Sequence, residues 1–490
     1  MTEEKVSRRN YMKYAGAGVV IVAGAAAGAY YATRPAAPPG PTETTAATTG
    51  PMQNIELHVI GEALPPLEGL NKIKDIYEGE HPGVKIVIEP YEFESLLQKS
   101  TADLAAGTGQ YDCVMSIYYN LGKYVENGWV VPIDEFLADP TIITPEEYVT
   151  MIEGMIPGAL NSKSEYHGKI YGLPFSCQTQ FEWYRGDIFD DAVEKDNFKA
   201  QYGYPLDHCK TWKEWRDQAE FFTRNKGETL MGKKLDYDFF GTCLQAKRHP
   251  CTWYEFICVF PSFGGRLFDV EQNIVINSRR VADALDYYKS LIPFSPPGVL
   301  EYTWDDALIA AQQGLLYHQI LWYDASYAVI DPTQSKTADV IKFHAPFPVS
   351  DPTDPLCKPS HSEGGWSFLV NAASKYKEEA CRFVVWANKP DIQILWARNA
   401  GLAAQKAAYE DPEVAALPIT QAAYYGNLNS AFTNFGIWPK EPWAEEGYDK
   451  GVQALSNATS GAMTTEQALD WLADELASIT KKPVLEYLSK

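Results

Sequence analysis

Long apolar runs are scarce in this sequence. Only Tyr14 to Ala32 is long enough to cross a bilayer, which excludes a multi-span permease. Cysteine is sparse as well: there are eight in 490 residues and none before Cys113, so no cysteine near the start could carry a lipid anchor. No Cys-x-x-Cys and no closely spaced histidine pair offers a zinc site. A Gly-x-Ser-x-Gly elbow, a His-Glu-x-x-His helix and a Walker loop are missing too, which removes the signatures of serine hydrolases, zinc proteases and P-loop nucleotidases. Basic residues are in deficit, 42 against 64 acidic ones, for a net charge of −22. From Pro51 onward the balance is 37 basic to 61 acidic, or −24, which argues against nucleic acid or an anionic membrane surface as partner. What is abundant is rings, with 13 Trp, 30 Tyr and 21 Phe. A hydrophobic share of 46% with 22% charged residues describes a folded chain, and the length suggests about three units of roughly 150 residues.

The N-terminus reads as an address. Ser7-Arg8-Arg9-Asn10-Tyr11-Met12-Lys13 resembles a twin-arginine export signal, and the Ala/Gly/Val-rich run behind it completes a signal or membrane anchor over 1–32. Residues 33–53, with Pro38-Pro39-Gly40-Pro41 and repeated threonines, cannot bury a core and form an extended tether. A tether makes most sense with its start fixed to a membrane, so the apolar run is expected to stay as an anchor. In an exported chain the cysteines read as structural bridges plus buried thiols.

The body alternates strand and helix. Ile55–Ile60 alternates apolar and polar residues up to Gly61, a strand; Leu67 to His81 has helical spacing and stops at Pro82-Gly83. Val84–Ile88 is a second strand, Glu92 to Ala106 a helix closed by Gly107-Thr108-Gly109, and Tyr111–Ile117 a third strand. This order predicts parallel strands joined by right-handed crossovers, with ligand at the strands' carboxyl ends. Gly61-Glu62, Tyr91-Glu92 and Tyr118-Tyr119 fall at those ends.

From Ile55 to about Leu488 the chain resembles the extracellular solute-binding proteins of ABC importers, in the carbohydrate-binding group that includes maltose-binding proteins. The resemblance rests on Ala105–Val114, on Gly128-Trp129-Val130-Val131-Pro132-Ile133-Asp134 and on Lys169–Pro174 with Tyr184-Arg185. Thr211-Trp212-Lys213-Glu214-Trp215, Gly364-Gly365-Trp366, Ser374–Ala380 and Phe383–Trp386 extend it. Two departures stand out: Tyr111 where the family has proline, and Arg185 where it has asparagine. The resemblance implies an α/β, two-lobed fold of the periplasmic-binding type (type II), with mainly parallel sheets flanked by helices. Lobe 1 is expected over 54–175 plus 367–402 and lobe 2 over 176–366 plus 403–490, with crossings near Leu173-Pro174-Phe175, Ser367–Val370 and Gly401-Leu402. It further implies a monomer without cofactor or metal that closes on a saccharide and delivers it to the transmembrane subunits of an ABC permease.

Sugars offer flat C–H faces to aromatic planes and a rim of hydroxyls to polar side chains. The resemblance places an aromatic stacker at Tyr118 or Tyr119, and Glu62 offers an acceptor after the first strand. Alternation along the strand after the first crossing points Gln178 and Gln180 the same way, with Glu182 next in the series. Trp253 precedes Gly264-Gly265 in a loop-helix segment. Trp322 is the principal stacker, with Asp324 beside it, and Trp366 adjoins the hinge glycines. Trp438 is a further contact, with Trp443 its rival. Trp212, Trp215, Trp386, Trp396 and Trp471 follow helical spacing and are expected in the core. The adjacent pairs Asp305-Asp306 and Glu445-Glu446 read as solvated surface, which leaves a glycoside hydrolase without its spaced carboxylates. His318, His344 and His361 form no ligand pattern. The alternatives are a glycerol phosphodiester, or a polyamine, whose cleft would need several converging carboxylates.

Overall fold

The computed structural model describes residues 54–429 and 439–489. The signal or anchor, the tether and Trp438 lie outside the described residues. Among those residues no helix is long and apolar enough to cross a membrane.

The expected opening is present. It runs β1 (Ile55–Glu62), α1 (Pro65–Glu80), β2 (Val84–Tyr91), α2 (Phe93–Ala106) and β3 (Cys113–Ile117). Proline occupies the first turn of α1, where its missing N–H costs nothing, and Leu67, Leu70, Ile73 and Tyr77 form its buried stripe. Gly107 ends α2 in the left-handed region at φ 62°. β1 lies between β2 and β3 and runs parallel to both.

Beyond β3 the direction changes. The sheet continues with β4 (Gly172–Pro174) at its far edge; the chain then leaves it along β5 (Gln178–Arg185). The helices α3 (Trp212–Phe222), α4 (Pro250–Val259) and α5 (Trp304–Gln312) follow, then β6 (His318–Trp322), β7 (Ile341–His344) and β8 (Glu363–Gly364). The chain returns along β9 (Trp366–Val370), which inserts between β3 and β4, antiparallel to each. In the second sheet β6, β7 and β8 all pair antiparallel with the central β5. The expectation of mainly parallel sheets therefore holds for β1 to β3 alone. β5 carries the chain out from the first sheet and β8 leads it back, and outbound and returning strands lying side by side must be antiparallel.

The sheets are joined by crossing segments that bond to one another. Phe175 N–H (2.7 Å) and Ser176 N–H (3.1 Å) both donate to Trp366 O, and Cys177 N–H donates to Leu402 O at 2.8 Å. Gly365, at φ 92°, sits on Ser176 so closely that a Cβ would lie 2.2 Å from its carbonyl oxygen. Only glycine suits that backbone and that contact.

Trp212, Trp215, Trp386 and Trp396 are core residues, as their spacing predicts, and Trp471 is half-buried against the core. The Thr211–Glu214 capping box starts α3. The cysteines differ from expectation: all eight are free, buried thiols. Cys251 and Cys258 show why proximity in sequence misleads, because seven residues of one helix separate them by about 10 Å, beyond the roughly 4.4–6.8 Å that a bridge spans between Cα atoms.

Candidate ligand-binding cleft

β5 runs away from the crossing segments and β6, β7 and β8 run toward them. The carboxyl ends of the latter thus face those of β1 and β3 across the junction. Glu62 ends β1, Tyr118 and Tyr119 follow β3, and Trp322 ends β6 with Asp324 just beyond. Gln178 opens β5 and Trp366 opens β9, opposite Ile117. Seven of the predicted residues come together here from two sheets.

Rings form the first half of the site. Tyr118 meets Tyr119 edge-on at 5.5 Å, and Tyr119 stacks on Tyr448 at 4.9 Å. Tyr448, from α6 (Ala444–Thr459), lies 5.5 Å from Tyr254 of α4, which meets the Trp322 ring at 5.1 Å. This chain of rings passes from one sheet's layer to the other. Opposite it, Phe93 sets its edge against both Trp366 (5.7 Å) and Trp304 (5.6 Å). An ion pair, Lys123 Nζ to Glu445 Oε2 at 2.7 Å, also ties the segment after β3 to α6. Each ring pair adds about 0.5–1.5 kcal/mol beyond the area it buries.

Carboxylates form the second half. Glu62 is buried, and its carboxyl is held well above the usual carboxylate range, first by burial, then by the charge of Asp324 and more weakly by that of Asp305. The Trp366 indole N–H donates to it and acts the other way. Asp324 is 6% exposed, and burial pushes its carboxyl up to about 6, against the N–H of Ala325 and the Gln178 amide that donate to it. Asp305, exposed on the first turn of α5, stands close enough to raise both. A hydroxyl or a cation placed between these carboxyls would offset their desolvation and mutual repulsion.

Gln180 is fully buried. With its amide oriented to satisfy its neighbours, its oxygen accepts from the Trp322 indole at 3.3 Å and its nitrogen donates to Ser362 Oγ and Tyr254 O. It holds the Trp322 ring from behind. Trp322 lies so near the backbone of Gly364 that a Cβ there would come within 2.6 Å of the ring. Trp253 points into the α4 core toward Phe256 and Phe260, with Tyr448 at 6.4 Å. Trp443 packs edge-on against Phe268 at 6.0 Å. A cavity of about 560 Å³ lined by Val193, Glu194, Phe221 and Arg224 lies apart, beside a separate hydrophobic cluster that includes Phe221.

Sequence reasoning missed Tyr254, Tyr448, Phe93 and Trp304. Adjacent helix positions point 100° apart, so Trp253 and Tyr254 face different surroundings, and composition alone favours the larger ring. Asp305 is exposed as expected, yet its charge reaches the cleft.

A family model described as bacterial extracellular solute-binding protein matches residues 65–394. The chain belongs to that family. Its members capture solute for ABC importers outside the cytoplasm and are not enzymes, which sets the hydrolase alternative aside. This solute-binding protein is 25% identical over 424 residues to a mannitol-binding protein of Pseudomonas aeruginosa, covering 82% of this chain and 87% of that one. It is 24% identical over 404 residues to a probable amino-acid ABC transporter periplasmic-binding protein of Sinorhizobium fredii, covering 82% and 84%. Its fold matches an Agrobacterium radiobacter ABC transporter solute-binding protein crystallised with ribitol, with a TM-score of 0.72 and 22% identity over 87% of this chain and 99% of that one.

Proposed function

We propose that this protein captures an uncharged, hydroxyl-rich solute, a sugar or polyol, in the cleft between its lobes and hands it to an ABC permease. One observation carries the reading: ring faces and buried carboxyls meet at facing strand ends. Rings suit C–H faces, and carboxylates accept from hydroxyls with bonds worth about 1.5–3 kcal/mol. Mannitol and ribitol in the names of two relatives support it. In this reading Glu62, Tyr118, Tyr119, Gln178, Trp322, Asp324 and Trp366 contact the solute. Gln180 and Trp253 support the rings, and Trp438 is a further contact. The lobes, 54–175 plus 367–402 and 176–366 plus 403–490, close about the bonded crossing segments. Residues 1–32 anchor a monomer to the membrane through the 33–53 tether, which keeps loaded protein near its transporter.

The converging Glu62, Asp324 and Asp305 favour a second reading, an amine-bearing solute such as a polyamine, because a cation would compensate their charge directly. A melting panel of mannitol, ribitol, maltose, putrescine and spermidine separates the two. A true ligand at 100 times its dissociation constant adds about 2.7 kcal/mol of stability. A shift with the polyols or the sugar and none with the amines supports the first reading. The opposite pattern replaces it with the second.

A further inference from the structure

Along β5, two residues beyond Gln180, lies a second cluster of polar side chains that the cleft does not use. Glu182 stands opposite His344 of β7 in the antiparallel register. His208, from the segment before α3, lays its ring flat on that of His344, with centroids 3.7 Å apart and planes within 5°. One ligand atom from each of Glu182, His208 and His344 lies within 4.8 Å of the other two. A fourth group approaches from the other flank of β5. His318 of β6 is wholly buried, its Nδ1 is 3.4 Å from Glu182 Oε1, and neither ring nitrogen has a hydrogen bond. Its ring rests on Trp215 at 4.0 Å, which fixes its plane.

We propose that Glu182, His208 and His344 bind a divalent transition-metal ion of the zinc class, with His318 packed behind Glu182. Two imidazoles and one carboxylate, with water completing the shell, suit zinc, nickel or copper and leave calcium and magnesium poorly served. Burial holds His208, His318 and His344 below the ordinary imidazole range and Glu182 above the ordinary carboxylate range. A metal–nitrogen distance of about 2.0–2.1 Å requires the half-buried His208–His344 stack to open, with His208 turning against Phe189, on which its ring also stacks at 4.8 Å. His318 and Glu182 form the fixed inner wall. The site is about 13 Å along β5 from Gln178, four residues at about 3.3 Å each. The ion would tie β5, β6, β7 and the segment leading to α3 into one unit behind Gln180 and the Trp322 ring.

The test is calorimetric titration of the chelator-treated full chain with zinc chloride, repeated with cobalt chloride to read coordination from its visible absorption. One equivalent of zinc should bind, and cobalt should give a four-coordinate spectrum. His208→Ala and His344→Ala should each weaken binding by more than the 10–100-fold that loss of even an outer partner costs. Glu182→Gln, which keeps the shape and removes the charge, should do the same, and His58→Ala, on β1, should not. Melting curves without metal establish that each variant is folded. Absence of stoichiometric binding, or zinc affinity unchanged in the His208/His344 double variant, overturns the proposal.

Discussion

Replacing Asp324 by Asn separates what the cleft gains from its charge from what that charge costs. A carboxyl with a pKa of about 6 is ionised roughly 30 to 1 at pH 7.5 and protonated roughly 10 to 1 at pH 5. A hydroxyl donating to the ionised form gains about 1.5–3 kcal/mol, against about 1 for a neutral acceptor. The substitution should therefore cost about 0.5–2 kcal/mol of binding at pH 7.5, roughly 2–30-fold in Kd. At pH 5 the native side chain is already neutral, so the two proteins should bind nearly alike. Stability moves the other way. The folded pKa lies above the unfolded value of 3.8, so the contribution of Asp324 is fully present below about pH 4 and is lost as pH rises through 6. At pH 7.5 the unliganded Asn variant should be more stable than the native protein by about 1–3 kcal/mol. Titration calorimetry and melting at both pH values read the two effects. A variant that binds as well as native at pH 7.5, or that melts lower there, refutes the argument.

Trp322→Ala should destabilise the unliganded protein by about 3–5 kcal/mol as well as abolish solute binding, since the ring is 6% exposed and bonded to Gln180; an unchanged melting point would show the ring to be dispensable packing. Gly365→Ala should cost at least about 2 kcal/mol, because the backbone at φ 92° is strained for alanine and the methyl would meet Ser176 O at 2.2 Å. Native stability by chemical denaturation would mean the crossing segment is freer than its contacts imply.

Much of this was legible from sequence where local rules dominate. β1 to β3 and the two helices between them announce themselves through periodicity, glycine stops and proline starts. The position of Glu62 and Tyr118-Tyr119 at the carboxyl ends of β1 and β3 follows from where those strands stop. The second lobe was harder. Its sheet is assembled from strands more than a hundred residues apart, β5 with β6 and β7, and no local signal sets their direction. The histidine cluster shows the same limit. Glu182, His208, His318 and His344 have no metal-ligand spacing in sequence; cross-strand register brings three of them together, and the segment before α3 adds His208. Tyr448 is one tyrosine of thirty, on a helix that reaches the cleft only after the chain has closed around it. The eight cysteines mislead in the opposite sense, because burial among apolar side chains rather than pairing explains them.

Under the proposed hinge closure, Trp366 has two duties at one position. Its carbonyl oxygen accepts from both Phe175 and Ser176, so it fastens one crossing segment to another. Its indole N–H donates to Glu62, and its ring meets Phe93, which also touches Trp304 of the facing lobe. A rotation about the crossing segments therefore cannot leave the polar end of the cleft unchanged. Opening would part Phe93 from Trp304 and Tyr119 from Tyr448, and would return Glu62 and Asp324 to water, where their ordinary ionisation is restored. Closing without solute brings those carboxyls together under mutual repulsion and desolvation. A bound hydroxyl network offsets that cost only in the closed form. A ligand shifts such an equilibrium only by its differential affinity for the two states. The raised carboxyls of Glu62 and Asp324 thus bias the empty protein toward opening, and the solute that satisfies them supplies the difference.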